Sequence, residues 1–282
     1  MWKDYKSLVS QHTVTGDLRV KKAVRSQQLE NKRDILVWLP PSYAASEKHY
    51  PVLYMHDGFN LFDTFSSYSG EWGVDETMTV LAAEGIEAII VGIPNQGQQR
   101  FTEYNPYPIR FHSQHVEGRG DDYIAFITDT LKPMIDRTFR TNPAAASTGI
   151  AGSSMGGLIS LHGFLTRQDV FGFCGAFSPV FWIGTGLQQS IEELANGTGR
   201  VYLDIGAHEG SVILQVGTNL AKTEVEGDRF YLKGVRHLRS RLLTKGYVEG
   251  SSLLYVEDSE GRHNEETWAR HLPAALRFLI PH

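Results

Sequence analysis

The strongest chemical signal in the sequence is a G-x-S-x-G motif formed by Gly152-Ser153-Ser154-Met155-Gly156. It lies between an apolar run at 148–151 and a segment with helical spacing that begins near Gly157. A serine on a sharp strand-to-helix turn is held with its hydroxyl exposed, and small neighbours let the chain pass close to itself there. The pattern therefore predicts Ser154 as a nucleophile. Because such motifs also arise by chance in a chain with 28 glycines, the placement after a strand carries much of this inference.

A serine hydroxyl needs a base at neutral pH, and histidine is the side chain whose ordinary pKa suits that role. In chains that carry a nucleophile on such a turn, the acid and then the histidine follow the serine in the sequence, and the histidine lies after the last strand. Among eleven histidines, His263 fits, because it follows the apolar run 253–256 and precedes the C-terminal helical segment. The histidines inside or beyond predicted helices are expected to be surface or packing residues: His237, His271 and His282.

The acid that orients the histidine is expected on the loop after the penultimate strand, which reads Gly206-Ala207-His208-Glu209-Gly210. Glu209 is the preferred candidate. Asp204 is the alternative, but it lies inside the predicted strand 201–205, where a side chain points to one face of the sheet. Asp258 and Glu260 share the loop of the histidine and are expected to cap that loop or to be solvated.

Attack on an ester carbonyl places negative charge on oxygen, so two backbone N–H donors are expected to form an oxyanion hole. One is the N–H of Met155, at the positive end of the helix that follows the serine. The second is expected in His56-Asp57-Gly58-Phe59-Asn60, and Phe59 is preferred with Gly58 as the alternative. His56 and Asp57 are interpreted as part of a hydrogen-bonded turn rather than as a metal pair.

The segment 94–121 is too long for a simple connection, carries Pro94, Pro106 and Pro108, and shows no periodicity. It is predicted to line the substrate site, and an ordinary surface loop is the alternative. His112 and His115 within it form an H-x-x-H, but no third ligand accompanies them, so no metal site is predicted.

Positioning these residues requires a mostly parallel sheet, because short apolar runs alternate with helical segments along the chain. The predicted strands are 17–26, 33–39, 51–55, 88–93, 148–151, 173–177, 201–205 and 253–256. The predicted helices are 74–84, 122–139, 157–168, 229–245 and 265–280, with breaks or kinks at Pro133 and Pro273. We expect one α/β domain over residues 1–282, with helices on both faces of the sheet and antiparallel N-terminal strands.

Composition narrows the function classes. The chain has 282 residues, 41% of them hydrophobic and 21% charged, as is typical of a globular protein. With 27 Lys and Arg against 32 Asp and Glu, the net charge of −5 argues against nucleic-acid binding through general phosphate attraction. The basic cluster of Lys21, Lys22 and Arg25 is interpreted as a solvated strand face.

The lone Cys174 excludes an internal disulfide and a multi-thiolate zinc site, which fits a reducing compartment. The N-terminus leads into no apolar segment of signal-peptide type, and no apolar run is long enough to span a membrane. A cytoplasmic protein is therefore expected. The predicted partner is a small-molecule ester substrate, with no nucleic acid, membrane, metal or cofactor, and a homo-oligomer stays open.

The chain also resembles the putative-esterase branch of the α/β hydrolases over nearly its whole length. The matching segments are 32–40 (KRDILVWLP), 53–63 (LYMHDGFNLFD), 152–157 (GSSMGG), 202–206 (YLDIG) and 261–264 (GRHN). This family includes esterase D-type S-formylglutathione hydrolases, feruloyl and acetyl xylan esterases, ferric enterobactin esterases and mycolyltransferases. The serine motif and the His-Asp-Gly segment are specific in combination, whereas the other segments are weak alone.

The resemblance implies serine esterase chemistry with Ser154, Glu209 and His263 as the triad and with Met155 and Phe59 as oxyanion donors. Many relatives have aspartate in place of Glu209 and glutamine in place of Phe59, whose phenyl ring is expected to narrow the acyl side of the pocket.

Relatives also carry an arginine and a Glu-Tyr pair like Arg100 and Glu103-Tyr104, which are assigned to loop anchoring, with substrate contact as the alternative. Trp182 and Phe181 are candidate pocket walls, and core packing is an equal alternative for Phe181.

The sequence thus predicts a serine carboxylesterase acting on small or carbohydrate-linked acyl substrates. The same triad is compatible with acyl transfer to an alcohol or with thioester cleavage. A binding module with a silent triad is the alternative from another class, since fold does not fix function.

Overall fold

The computed structural model describes residues 1–111, 114–183, 186–215 and 220–281. A nine-stranded sheet runs through it in the order β1-β2-β3-β5-β4-β8-β9-β10-β11. The nine strands are β1 Lys3–Asp4, β2 Asp17–Arg25, β3 Lys32–Leu39, β4 Val52–His56, β5 Ile89–Ile93, β8 Thr148–Ser153, β9 Phe173–Phe177, β10 Arg200–His208 and β11 Leu253–Arg262. A separate antiparallel pair is formed by β6 Ile109–Phe111 and β7 Gln114–Val116.

The sheet is antiparallel at its N-terminal side and parallel elsewhere. The pairs β1·β2, β2·β3 and β3·β5 are antiparallel. All pairs from β5 through β11 are parallel. The expected α/β architecture is confirmed.

The chain order reverses between β4 and β8. From β4 the chain goes outward to β5, and it returns to place β8 on the other side of β4. Ligands of open parallel sheets bind outside the carboxyl ends of the strands at such a reversal. The loops that follow β4 and β8 therefore begin side by side at this edge.

Nine α-helices are assigned within the described residues. They are α1 Val74–Ala83, α2 Arg100–Glu103, α3 Gly120–Ala125, α4 Lys132–Thr138, α5 Met155–Thr166, α6 Gly186–Glu193, α7 Gly210–Gln215, α8 Glu224–Thr244 and α9 Glu265–Leu279. None of the helices in these described parts of the chain is both long and apolar enough to cross a bilayer.

The buried side chains form two clusters, one on each face of the sheet. In β4, Val52 and Tyr54 belong to one cluster and Leu53 and Met55 to the other, as the alternation of side chains along a strand requires. Helices α5 and α8 cover the first face, and α1 and α9 cover the second. The predicted helices on both faces are confirmed.

Several element bounds differ from the sequence prediction. Strands β10 and β11 run on to His208 and Arg262, because apolar content marks only the doubly covered part of each strand. The predicted helix 122–139 is divided into α3, a π turn at Phe126–Leu131 and α4, which has Pro133 in its first turn. Helix α9 passes through Pro273 without ending there.

Candidate active site

Ser154 occupies a strained turn between β8 and α5. Its backbone has φ 59° and ψ −121°, a region that side-chain-bearing residues rarely adopt. The Ser154 N–H donates to the Phe177 carbonyl at 2.9 Å, and its own carbonyl accepts from the Val180 N–H at 3.1 Å. These two bonds to the segment around the end of β9 hold the turn in its unusual conformation.

The glycines of the motif allow His56 to pack beneath this turn. A Cβ on Gly152 would lie 2.8 Å from His56 Cδ2 and 3.1 Å from the backbone of Gly156. Burial lowers the pKa of His56 to about 3, so the ring is neutral at physiological pH. Its Nδ1 lies 2.9 Å from the Tyr123 hydroxyl. The uncharged imidazole thus packs directly against the serine turn and supports it.

Ser154, His263 and Glu209 form a continuous chain of hydrogen-bond distances. His263 Nε2 lies 2.9 Å from Ser154 Oγ, and His263 Nδ1 lies 2.8 Å from Glu209 Oε2. The Glu209 side chain is fully buried, whereas that of His263 is 12% exposed. The imidazole therefore reaches the surface of the site while its acid partner is shielded from water.

Strand ends bring these three side chains together. Glu209 directly follows β10, and His263 directly follows β11. The next residue, Asn264, caps α9 by accepting a hydrogen bond from the Thr267 N–H at 3.0 Å, which fixes where the histidine loop ends.

Two further donors fix the carboxylate of Glu209. Its Oε1 accepts from Ser178 Oγ at 2.7 Å and from the Gly206 N–H at 2.6 Å. Ser178 Oγ in turn accepts from Trp268 Nε1 at 3.0 Å. Sequence reasoning missed Ser178 and Trp268, and the one available signal was a polar residue placed directly after the buried strand β9.

Asp204 has other partners. Its carboxylate accepts from the Ser178 N–H at 2.7 Å, from the Tyr202 hydroxyl at 2.9 Å and from His271 Nδ1 at 2.8 Å. Its side chain is almost completely buried, as is expected for a residue inside a strand. The structure thus places Glu209 and not Asp204 against His263.

The residues expected to form the oxyanion hole lie on adjacent turns. Met155 is the first residue of α5, where N–H groups have no partner within the helix. Phe59 lies in a 3₁₀ turn, Gly58–Asn60, directly after β4 and Asp57. The Asn60 N–H already donates to the Asp57 carbonyl at 2.8 Å. The turn packs tightly against β5, since a Cβ on Gly58 would lie 2.7 Å from a backbone carbon of that strand.

Arg100 anchors the start of the long loop to the turn after β4. Its Nε and Nη2 donate to the two carboxylate oxygens of Asp57, each at 2.8 Å, and Asn95 donates to the same carboxylate at 2.7 Å. Burial alone would raise the pKa of Asp57, but the charge and hydrogen bonds of Arg100 outweigh it, so that this pKa is lowered. Arg100 thus makes contacts that anchor the loop. Glu103, from the pair that is also assigned to loop anchoring, forms a buried ion pair with Arg33 at 2.8 Å.

A cavity of about 840 Å³ opens above Ser154 and His263. Its wall combines aromatic rings with polar groups. Prominent members of the wall are Phe59, Trp72, Trp268, Asn60, Asn95 and Arg100. This size is within the usual range for small-molecule sites, and the mixed lining suits a substrate with both apolar and hydrogen-bonding parts.

Phe181 and Trp182, the candidate pocket walls, lie outside the lining of this cavity. Their rings contact each other at a centroid distance of 5.2 Å, and Trp182 stacks edge-on against Tyr231 at 4.7 Å. Tyr231 itself lies 5.7 Å from the ring of His263. The pair therefore forms an aromatic cluster behind the histidine, instead of belonging to the wall of this cavity. His112, His282 and the side chain of His115 lie outside the described residues.

Comparison with known proteins identifies the family. The model of the family described as "Putative esterase" matches residues 26–279. The protein YbbA of Bacillus subtilis (strain 168) is 27% identical over 244 residues, which are 85% of this chain and 90% of that protein. Ferri-bacillibactin esterase BesA of the same organism is 28% identical over 171 residues, 56% of this chain and 57% of BesA.

A solved structure shares the fold. The siderophore hydrolase EstA from Aspergillus nidulans superimposes with a TM-score of 0.72 at 17% identity, and the match covers 93% of each chain. Because the family model spans most of the sequence, the predicted resemblance is confirmed. The chain belongs to the Putative esterase family and is a hydrolase of α/β fold that acts on ester bonds.

Proposed function

We propose that the protein is a serine carboxylesterase in which Ser154, His263 and Glu209 form the catalytic triad. Ser154 Oγ attacks the ester carbonyl carbon while His263 Nε2 accepts the hydroxyl proton. The N–H groups of Met155 and Phe59 donate to the oxyanion that forms. The intermediate collapses by breaking the bond to the alcohol oxygen, which takes the proton from His263. Water, deprotonated by the same imidazole, then attacks the acyl carbon, and the bond to Ser154 Oγ breaks as that oxygen takes the proton from His263, which releases the acid and restores the enzyme.

The unbroken chain of hydrogen bonds from Ser154 through His263 to Glu209 carries this proposal. With Glu209 accepting at Nδ1, the neutral imidazole must hold its proton there and present a lone pair at Nε2. That lone pair faces Ser154 Oγ at 2.9 Å, which is within the distance for proton transfer. The buried position of Glu209 strengthens its attraction for the imidazolium that forms in the transition state.

The cavity supports a small-molecule ester as substrate. Rings of Phe59, Trp72 and Trp268 offer apolar contact, and Asn60 and Asn95 offer hydrogen bonds. Carbohydrate-linked acyl groups fit this combination. BesA is named a ferri-bacillibactin esterase and EstA a siderophore hydrolase, so a siderophore ester is the second substrate class to compare.

Stopped-flow release of p-nitrophenol from p-nitrophenyl acetate tests the reaction. We expect a burst that is stoichiometric with enzyme, followed by slower turnover, and its loss in Ser154→Ala. Ser160→Ala is the matched control, because Ser160 is a buried serine of α5 whose hydroxyl donates to the Gly156 carbonyl at 2.7 Å. Equal rates for Ser154→Ala and the unmodified enzyme would reject the mechanism. Product analysis with added alcohol separates hydrolysis from acyl transfer.

A further inference from the structure

A second histidine lies between two carboxylates behind the triad. His271 on α9 has Nδ1 2.8 Å from Asp204 Oδ2 and Nε2 3.0 Å from Asp258 Oδ2. An ionised carboxylate can only accept hydrogen bonds, so each ring nitrogen must carry a proton. The geometry therefore describes an imidazolium that bridges a buried carboxylate and an outer one.

The electrostatic surroundings agree with this protonation state. Burial by itself would lower the pKa of His271, but its hydrogen bonds to Asp204 and Asp258 and their charges outweigh it, and the pKa is raised. Burial raises the pKa of Asp204, and the contact with His271 opposes that rise. The cation on His271 thus helps to keep Asp204 ionised in a site that excludes water.

Asp204 is joined to the triad acid through one residue. Asp204 Oδ1 accepts from the Ser178 N–H at 2.7 Å, and Ser178 Oγ donates to Glu209 Oε1 at 2.7 Å. Ser178 has φ 41°, an unusual conformation for a residue with a side chain. Its carbonyl also accepts from the Tyr231 hydroxyl. Hydrogen bonds to both of its backbone groups therefore hold Ser178 in a strained conformation. This conformation places the Ser178 side chain against Glu209.

We propose that His271 is a positioning residue for the esterase: as an imidazolium between Asp204 and Asp258, it holds Asp204 against Ser178 and thereby fixes Glu209 on His263. This inference rests on the proposed triad. Loss of the cation at high pH would leave Asp204 with a weaker partner. Ser178 would then relax and hold Glu209 less firmly, so the fall of kcat at alkaline pH reports the protonation state of His271.

The charged and titratable groups that contact His271 or its two acid partners come from three elements. Strand β10 supplies Tyr202 and Asp204, β11 supplies Asp258, and α9 itself supplies Arg270, which pairs with Asp258. Helix α1 packs on the same face of the sheet. Its titratable residues and the one after its end have other partners: Asp75 and Glu76 accept from Thr15, and Glu84 pairs with Arg277. Strand β9 also packs against α9, but its buried Cys174 belongs to the side-chain cluster on the other face of the sheet.

Asp258→Asn tests the proposal without removing the ring. The His271 cation is present below its raised pKa and is lost above it. Removing one acid partner lowers this pKa, so the cation is lost at a lower pH. We expect the alkaline midpoint of kcat to fall by about one pH unit, together with the His271 Cε1–H titration followed by NMR. His271→Asn, which can donate to Asp204 but cannot become charged, is expected to lower kcat about tenfold at unchanged KM and to lose that limb.

His162→Gln is the matched control. His162 is a buried histidine that contacts Asp121 at 2.7 Å and the Tyr107 hydroxyl at 3.3 Å, away from the triad, and its loss is expected to leave the alkaline midpoint in place. The inference is overturned if His271 titrates at lower pH in Asp258→Asn while the kcat midpoint does not move, or if NMR shows a neutral ring at pH 7. Persistence of the burst in Ser154→Ala would instead reject the triad itself.

Discussion

Replacing Glu209 by glutamine is expected to put His263 in the wrong tautomer. Oε1 of Glu209 accepts two hydrogen bonds, from Ser178 Oγ and the Gly206 N–H, whereas Oε2 faces His263 Nδ1. An amide nitrogen cannot replace Oε1, because the Gly206 N–H would then point at a second donor at 2.6 Å. The amide N–H of the introduced glutamine must therefore face Nδ1.

The magnitude follows from the consequence for Ser154. With Nδ1 accepting, the neutral ring carries its proton on Nε2 and cannot take the one from Ser154 Oγ. A triad histidine in the wrong tautomer costs about ten-thousand-fold in kcat, which corresponds to about 5.5 kcal/mol. The folded state loses only the ionic part of one hydrogen-bond set, so the free energy of unfolding should fall by about 1–2 kcal/mol.

Steady-state hydrolysis of p-nitrophenyl acetate measures the effect, with urea denaturation as the check on folding. Glu260→Gln is the control, since it removes an exposed carboxylate close to the histidine in sequence and should change kcat less than twofold. Asp204→Asn should lower kcat far less than Glu209→Gln, because Asp204 does not contact His263. A folded Glu209→Gln enzyme with more than a tenth of the original kcat, beside an inactive Asp204→Asn, would exchange the acid assignment.

Three other substitutions probe the supports of the site. Ser178→Ala removes a hydrogen bond to the buried charge of Glu209, worth about 1.5–3 kcal/mol, so kcat should fall at least tenfold at constant KM; an unchanged kcat would show that Gly206 suffices. Gly58→Ala places a Cβ 2.7 Å from a backbone carbon of β5 and should lower the unfolding free energy by about 1–3 kcal/mol in urea, which an unchanged transition midpoint would contradict. Arg33→Gln leaves Glu103 charged without its buried partner and should cost about 3–5 kcal/mol of stability; a loss below about 1 kcal/mol in calorimetry would mean that the pair is not buried in solution.

Much of the fold could be predicted from the sequence because doubly buried strands read as uninterrupted apolar runs. Each of the eight predicted strands begins within one residue of the start of an observed strand. The ends were less predictable, since β10 and β11 leave the covered part of the sheet and become polar before they stop. The π turn at 126–131 interrupts the predicted helix and has no signature in the spacing of apolar residues.

The three side chains of the proposed triad could be named because the chain order of serine, acid and histidine restricts the candidates to loops after particular strands. The groups that orient them could not be named. Ser178 and Trp268 reach Glu209 from different elements, and such contacts depend on three-dimensional packing rather than on local pattern. The aromatic pair Phe181 and Trp182 follows a strand, as a pocket wall would, but its direction is set by packing against Tyr231.

Labelling with a serine-reactive phosphonate tests most directly whether the hydroxyl at 154 is activated by the imidazole at 263. The enzyme is incubated with the reagent, digested and analysed by mass spectrometry, with His263→Ala treated in parallel. The proposed triad predicts one adduct per chain on Ser154 and a labelling rate at least a thousandfold lower in His263→Ala. An adduct on another residue, or equal labelling rates in the two proteins, would contradict it.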